Sequence, residues 1–339
     1  MTSDTQRIER ELSYLKGINA KTAAFISTTA RKSSGLRVLP RRSAMGFTAI
    51  NFLVTEMDQA RACFCALDGH VDYIFIDIER KQDLTLIHEA RRLITRSKVL
   101  TCKPNDATIE SCDLLIRHHY ADRLEHKSVL VVGSGNLSTK IALRLAERQA
   151  KVYLQSRNHQ KTAQIAEALN LMLPKFSPPI QAIQEPQQHY TMIISFLSAE
   201  RIIGPNYLPL LSTHSLVIDG GINNFTASFI QGALAKGVTC YRLDVRIAFL
   251  YHLLLLSNEA EAFFSQVMGR ITVPDRGYDM VSGGIIGNRG DLIVDQVMTP
   301  TQVVGIADGF GGVKPSSAYT QDEKQRVARS LKALNAKQA

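Results

Sequence analysis

Three small residues, Gly133, Gly135 and Ser138, stand between the apolar run SVLVV (128–132) and a stretch that puts Leu137, Ile141, Leu145 and Ala146 at helical spacing. In a strand–turn–helix unit the first glycine permits the tight turn. The second lets the backbone approach a pyrophosphate, and the small third residue allows close helix–strand packing. The helix N-terminus adds N–H groups without intrahelical partners and a partial positive charge. A second run, KVYLQ (151–155), follows at the distance this unit requires. Residues 128–158 therefore predict a dinucleotide site, with Gly133, Ser134, Gly135, Asn136, Leu137 and Ser138 around the phosphates. The alternative is a structural turn that binds nothing.

The residues closing the second strand select between nucleotides. An Asp or Glu there binds a ribose 2′-OH, but this chain has Ser156-Arg157-Asn158, with Lys161 three residues on. A guanidinium beside a hydroxyl suits a 2′-phosphate, so NADP is the expected cofactor; otherwise Arg157 is an exposed charge leading its helix. Two more strand ends are expected to border the cofactor. One is Ser195, Phe196 and Leu197, closing YTMIISFL. The other is Asp219-Gly220-Gly221-Ile222-Asn223, where Gly221 lets the backbone near a nicotinamide and Ile222 packs on it. A tight strand-to-loop turn needs the same glycines for backbone geometry alone.

Asp77 sits on the otherwise apolar strand DYIFIDI (72–78). A buried carboxylate meets either a basic side chain or a substrate, and both readings stay open. Lys103, in the loop Cys102-Lys103-Pro104, is available as an acid beside the same cleft. His118 and His119 close a helix and read as C-terminal charge complements. Tyr251 and His252 lie on a late apolar helix, about 246–268, and Asn258 two turns on shares the Tyr251 face and is a substrate candidate. No HxxxH or HExxH spacing occurs, so no metal is expected.

These residues need an α/β framework. Short apolar or β-branched runs at 22–28, 48–54, 72–78, 98–102, 128–132, 151–155, 190–197, 215–219 and 238–243 alternate with helical patterns, as in parallel-sheet folds. Boundaries near 120 and 246 give three expected parts: an N-terminal substrate-binding α/β domain (1–120), a Rossmann doubly wound domain (121–245), and a C-terminal helical, glycine-rich extension (246–339). The 339 residues carry 40 Lys and Arg against 31 Asp and Glu, and 45% are hydrophobic, a globular composition. Arg31 to Ser43 reads as an exposed basic loop, a candidate lid over an anionic substrate. Without interleaved aromatics it does not indicate nucleic acid. No apolar run approaches the roughly 20 residues of a membrane span, so no membrane is expected. Five cysteines without a CxxC pair predict reduced thiols and a cytoplasmic protein.

Over residues 70–270 the chain resembles the superfamily of shikimate dehydrogenase and methylenetetrahydrofolate dehydrogenase. SRN (156–158) looks like the NRT-type element of shikimate dehydrogenases. IIGPNYLPLLSTHSLVIDGGINN (202–224) is similar to the folate enzyme's segment ending in DVGIN, and TCKPNDATIESCDLL (101–115) to its PCTPxGxxxLL. HVDYIFIDIERK (70–81) resembles both the VDGILVQLPLP and the NVTxPxK strands. NEAEAFFSQVMGR (258–270) resembles the shikimate enzymes' late helix, with Asn258 where they carry a substrate-facing Gln. The resemblance implies NADP-dependent hydride transfer, with Lys81 on the family's lysine and Asp106 on its aspartate, a pair that polarises and protonates a substrate oxygen. On their own, Lys81 reads as a solvated turn residue and Asp106, the stronger competitor, as a cap or first-turn acid of its helix. The expected function is an NADP-dependent oxidoreductase for a small polar or anionic metabolite, a hydroxy acid or cyclic imine. The alternatives are a one-carbon pterin dehydrogenase, against which the missing Tyr-x-x-x-Lys helix weighs, and a dinucleotide-binding regulator without turnover. A homodimer is the assembly left open.

Overall fold

The protein is described here by a computed structural model covering residues 3–29, 35–273 and 278–338. Two compact units divide the chain, Met1–His252 and Leu253–Ala339. Among the described residues no helix is long and apolar enough to cross a membrane.

The first unit holds two sheets. In the N-terminal sheet β1 (Lys21–Ser27), β3 (Phe47–Leu53), β4 (Tyr73–Asp77) and β5 (Lys98–Cys102) run parallel, and β2 (Arg37–Ala44) pairs antiparallel on the β3 edge, in the order β2-β3-β1-β4-β5. Every residue of β3 is buried, as expected for a strand covered on both faces. Helices α1 (Ser3–Leu15), α2 (Met57–Leu67) and α3 (Leu86–Leu93) accompany the sheet, and Ile8, Leu15, Phe64, Leu67 and Ala90 join Ile26, Ile50 and Ile74 in one core. On β1 and β4, Phe25 and Phe75 stack at 4.4 Å, with Phe249 and His252 edge-on or tilted to them.

Helix α4 (Pro104–His119) leads to the second sheet. Its strands β6 (Ser128–Val132), β7 (Lys151–Gln155), β8 (Gln181–Ile183), β9 (Tyr190–Ser195), β10 (Leu211–Asp219) and β11 (Thr239–Arg242) are all parallel. The order β8-β7-β6-β9-β10-β11 is 3-2-1-4-5-6 in the sheet's own count, the doubly wound Rossmann arrangement. Helix α5 (Asn136–Glu147) packs with α4 over β6, β7 and β9 through Ile109, Cys112, Ile116, Ile141 and Leu145, while α6 (His159–Asn170) and α7 (Ala227–Ala235) complete the crossovers.

Three expectations change. The basic segment 31–43 is not one exposed loop: Arg31 and Lys32 lie outside the described residues, and Arg37–Ala44 is strand β2. The apolar β3 needs a partner on its outer edge, and Pro40 is tolerated there because the register shifts between Leu39 and Arg42. The helix expected over 246–268 is broken. Its first piece is α8 (Phe249–Leu253), and Ser257 starts a new one, α9 (Asn258–Ala262), by accepting a hydrogen bond on Oγ from Ala260 N at 3.1 Å. Tyr251 and Asn258 therefore do not share one helical face. Finally, the glycine-rich stretch is not simply helical or irregular. It contains the four-stranded sheet β12 (Gly269–Val273), β13 (Tyr278–Ser282), β14 (Leu292–Val294) and β15 (Val303–Ile306). Arg270 bridges Asp279 and Asp291 at 2.8 and 2.9 Å, and Val327 of α10 (Gln321–Gln338) joins Leu292, Val294 and Ile306.

Candidate functional site

The dinucleotide signature folds as its spacing requires. Gly133 leaves β6 at φ +133°, and a Cβ there would strike Ser138 Oγ and lie 3.0 Å from Phe196 O. Ser138 is fully buried against the turn, and its Oγ has no hydrogen-bond partner among the described residues. Gly135 is the N-cap of α5, with nothing within 4 Å of where its Cβ would sit, so the outer face of the turn is open. The N–H groups of Asn136, Leu137 and Ser138 follow in the first helical turn.

At the end of β7, Asn158 caps α6 by accepting from Lys161 N at 2.9 Å, and Ser156 Oγ shares a 2.6 Å hydrogen bond with Thr162. Arg157 and the Lys161 side chain are exposed and make no ion pair among the described residues. An open glycine turn with two uncompensated cations one strand away fits a phosphorylated dinucleotide.

The ends of β9 and β10 are joined by a residue to which the sequence alone assigns no role. Asn224 is fully buried. Its Oδ1 accepts from Ser195 Oγ at 2.8 Å and Leu197 N at 3.0 Å, and its Nδ2 donates to the carbonyls of Leu197 and Ala199. Gly220 and Gly221 donate their N–H groups to Ser195 O at 2.9 and 3.1 Å. A Cβ on Gly220 would collide with the Phe196 ring and one on Gly221 with Asn224 and Leu197 O, so packing requires both glycines. Ile222 (φ +67°) and Asn223 (φ +62°) are then forced left-handed, and Ile222 is 41% exposed. Asn224 escapes pattern reading because the second of two asparagines after a glycine turn carries no periodic signal.

Across the unit, Lys81, Asp77 and Glu79 form one cluster beyond the C-terminal end of β4. Lys81 Nζ donates to Asp77 Oδ2 at 2.9 Å and lies 3.0 Å from Glu79 Oε2. Asp77 is buried and also accepts from Thr28 N, Thr28 Oγ1 and Glu79 N. Glu79 in turn accepts from Asn105 N at 2.7 Å, and Asn105 Nδ2 donates to Asn136 Oδ1 at 3.3 Å. The cluster is thus tied through one asparagine to the first residue of α5.

Lys81 and Asp106 are not paired. Asp106, in the first turn of α4, binds Lys103 and Lys140 instead. Burial acts to raise its pKa, but hydrogen bonds from the two ammonium groups prevail and hold it below the usual carboxylate value. Lys103, its own pKa raised chiefly by its hydrogen bond to Asp106, is likewise engaged. Two cavities border these groups, one of about 410 Å³ lined by Lys103, Asp106 and Lys140 and one of about 300 Å³ lined by Cys102, Lys103, Asp106, Tyr251 and His252. Asn258 opens α9 in the second unit.

Residues 116–207 match the family model of shikimate / quinate 5-dehydrogenase. The matched residues run from the end of α4 through β9, and the 3-2-1-4-5-6 order of the whole sheet is that of a shikimate-dehydrogenase-like Rossmann fold. No curated protein sequence matches the chain. Among solved structures the chain is similar to L-tryptophan dehydrogenase from Nostoc punctiforme (11% identity, 72% of this chain and 78% of that one, TM-score 0.44). It is also similar to shikimate dehydrogenase from Aquifex aeolicus (16%, 68% and 92%, TM-score 0.43) and to shikimate 5-dehydrogenase from Thermus thermophilus in complex with NADP(H) and shikimate (13%, 69% and 92%, TM-score 0.42).

Proposed function

We propose that the protein is an NADP(H)-dependent oxidoreductase acting on a carbonyl or imine, or the matching alcohol or amine, of a small polar or anionic metabolite. The observation that carries the reading is the Lys81 ammonium, held by Asp77 and Glu79 and linked by Asn105 to Asn136 beside the glycine turn. When bound, the nicotinamide supplies or accepts the hydride. The chain's own part is to move the proton: Lys81 delivers one from Nζ to the substrate oxygen or nitrogen in reduction and recovers it in oxidation. Asp77, fixed by Thr28, keeps the ammonium oriented between turnovers. The turn from Gly133 to Ser138 holds the pyrophosphate, and Ser156, Arg157 and Lys161 hold the 2′-phosphate. Ser195, Phe196, Leu197, Gly221 and Ile222 border the nicotinamide end. The five cysteines are free, which fits a reducing cytoplasm.

One observation favours a second reading, a dinucleotide-binding regulator without turnover. Lys81 is already engaged by two carboxylates, as in a purely structural cluster. A fluorescence titration with NADPH and NADH, followed by a screen of hydroxy acids and cyclic imines for nucleotide-linked turnover, separates the two. The enzyme reading expects NADPH to bind more tightly and at least one substrate to turn over with loss in Lys81→Ala. Binding without turnover of any substrate leaves the regulator, and binding of neither nucleotide removes both.

A further inference from the structure

A cavity of about 960 Å³ in the first unit shares no lining residue with the Lys81 cluster. It lies against the C-terminal half of α4, strand β2, strand β11 and the segment 244–250. Asp106 and Leu115 are nine residues apart on α4, about 14 Å along the axis at 1.5 Å per residue. The wall is apolar: Leu114 and Leu115 of α4 face Tyr241, Ile247 and Leu250, of which the last three are 37 to 51% exposed.

The charges at its rim do not cancel. Arg41 is committed to Glu11, with Nε 2.7 Å from Oε2, and Arg246 to Asp244. Arg42 and Arg242 have no carboxylate within ion-pair distance among the described residues. Arg42 is the unusual one. Its guanidinium carbon sits 5.2 Å from the centre of the Phe25 ring, its Nε is buried without a hydrogen-bond partner among the described residues, and burial holds its pKa below the ordinary value. Asp244 on the same wall attracts it without reaching ion-pair distance and is itself bound to Arg246, so a half-buried guanidinium is left with room for an anion that arrives from outside.

We infer that this cavity is a second small-molecule site, which takes an apolar monocarboxylate with its carboxylate on Arg42 and Arg242 and its hydrocarbon against Leu114, Leu115, Ile247 and Leu250. The volume is within the range of ligand pockets, and a guanidinium is suited to bind a carboxylate through two parallel hydrogen bonds.

Calorimetric titration of the full chain with octanoate, 3-phenylpropanoate and 1-octanol tests it. One or both carboxylates are expected to bind about tenfold or more tightly than the alcohol, the aliphatic and aryl arms showing which body the wall prefers. Arg42→Met is expected to lose that preference while melting at a higher temperature than wild type without ligand and retaining NADPH affinity. Arg242→Ala, at an exposed position, gives the same loss if the Arg42 variant does not fold. Equal binding of octanoate and 1-octanol, no binding of either carboxylate, or undiminished carboxylate binding in the two variants overturns the inference. So does a dimer in sedimentation that Leu250→Asp dissociates, which would make this face a contact between two copies.

Discussion

Lys81 Nζ donates to Asp77 Oδ2 at 2.9 Å, and the Asp77 side chain is wholly buried. The pair joins the end of β4 to the bend that follows it. Removing the ammonium leaves an uncompensated carboxylate under Thr28. Lys81→Met is therefore expected to cost about 3 kcal/mol of stability, read by urea denaturation, because breaking a buried pair from one side is expensive. Asp77→Asn/Lys81→Met should recover part of that loss, since the wholly buried charge is gone and only the less buried Glu79 is left without its ammonium. If the single variant is as stable as wild type, the pair is solvated in solution and the orientation assigned to Asp77 fails.

Legibility of this site in the sequence followed chain distance. The Rossmann turn was readable because strand, glycines and helix are contiguous, and each residue's task is local. Asp77 was readable as a buried carboxylate in need of a partner, and the partner proved to be four residues on. Asp106 was not, because its second partner, Lys140, is on α5, and only the packing of α4 on α5 brings them together. β2 read as a loop because its basic residues hide the backbone pairing with β3. The second unit's strands are three to five residues long and punctuated by glycine, too short for a period to register.

Arg157 is exposed and free of ion pairs among the described residues, so its loss leaves the fold intact and its effect isolates the nucleotide. Arg157→Ala should weaken NADPH binding by about 10- to 100-fold, the value of charge-assisted hydrogen bonds to a phosphate, and leave NADH binding within about twofold. Fluorescence titration reads both. Parallel weakening of the two nucleotides would remove the 2′-phosphate assignment.

Asn224 makes four side-chain hydrogen bonds in a dry setting. Asn224→Ala strands the buried Ser195 hydroxyl and the half-buried N–H and carbonyl of Leu197, at an expected cost of about 2 kcal/mol in chemical denaturation. Asn224→Asp can still accept from Ser195 and Leu197 but cannot donate to the two carbonyls, and it should fall between.

His252 packs against Phe25 and Phe75, and burial, with Arg42 second, pushes its pKa down to about 4. The unfolded chain takes up a proton near pH 6.5, whereas the folded chain does so only near 4. The unfolded state is therefore the better proton binder between those values, and stability falls as pH drops through that window. Wild type should lose up to about 3 kcal/mol between pH 7 and 4 relative to His252→Phe, measured as the difference between their melting curves. A flat difference would show that His252 is solvated when folded.

Ile222 carries a β-branched side chain at φ +67°, where its Cβ crowds the backbone and glycine does not. The strain is imposed by neighbours: Gly220 and Gly221 are pinned to Ser195 O, and the chain must turn within two residues so that Asn224 reaches Ser195 and Leu197. Glycine at this position would relax the backbone, so Ile222→Gly is expected to stabilise the protein by about 1 kcal/mol despite its greater unfolded-state entropy. Strain retained on a partly exposed apolar side chain beside the cofactor turn is explained if that side chain packs on a bound nicotinamide. The same variant should then weaken binding of NADPH more than binding of 2′-phospho-ADP-ribose, which lacks the nicotinamide ring. A variant that gains stability and binds both ligands as wild type does would leave Ile222 with no part in the cofactor site.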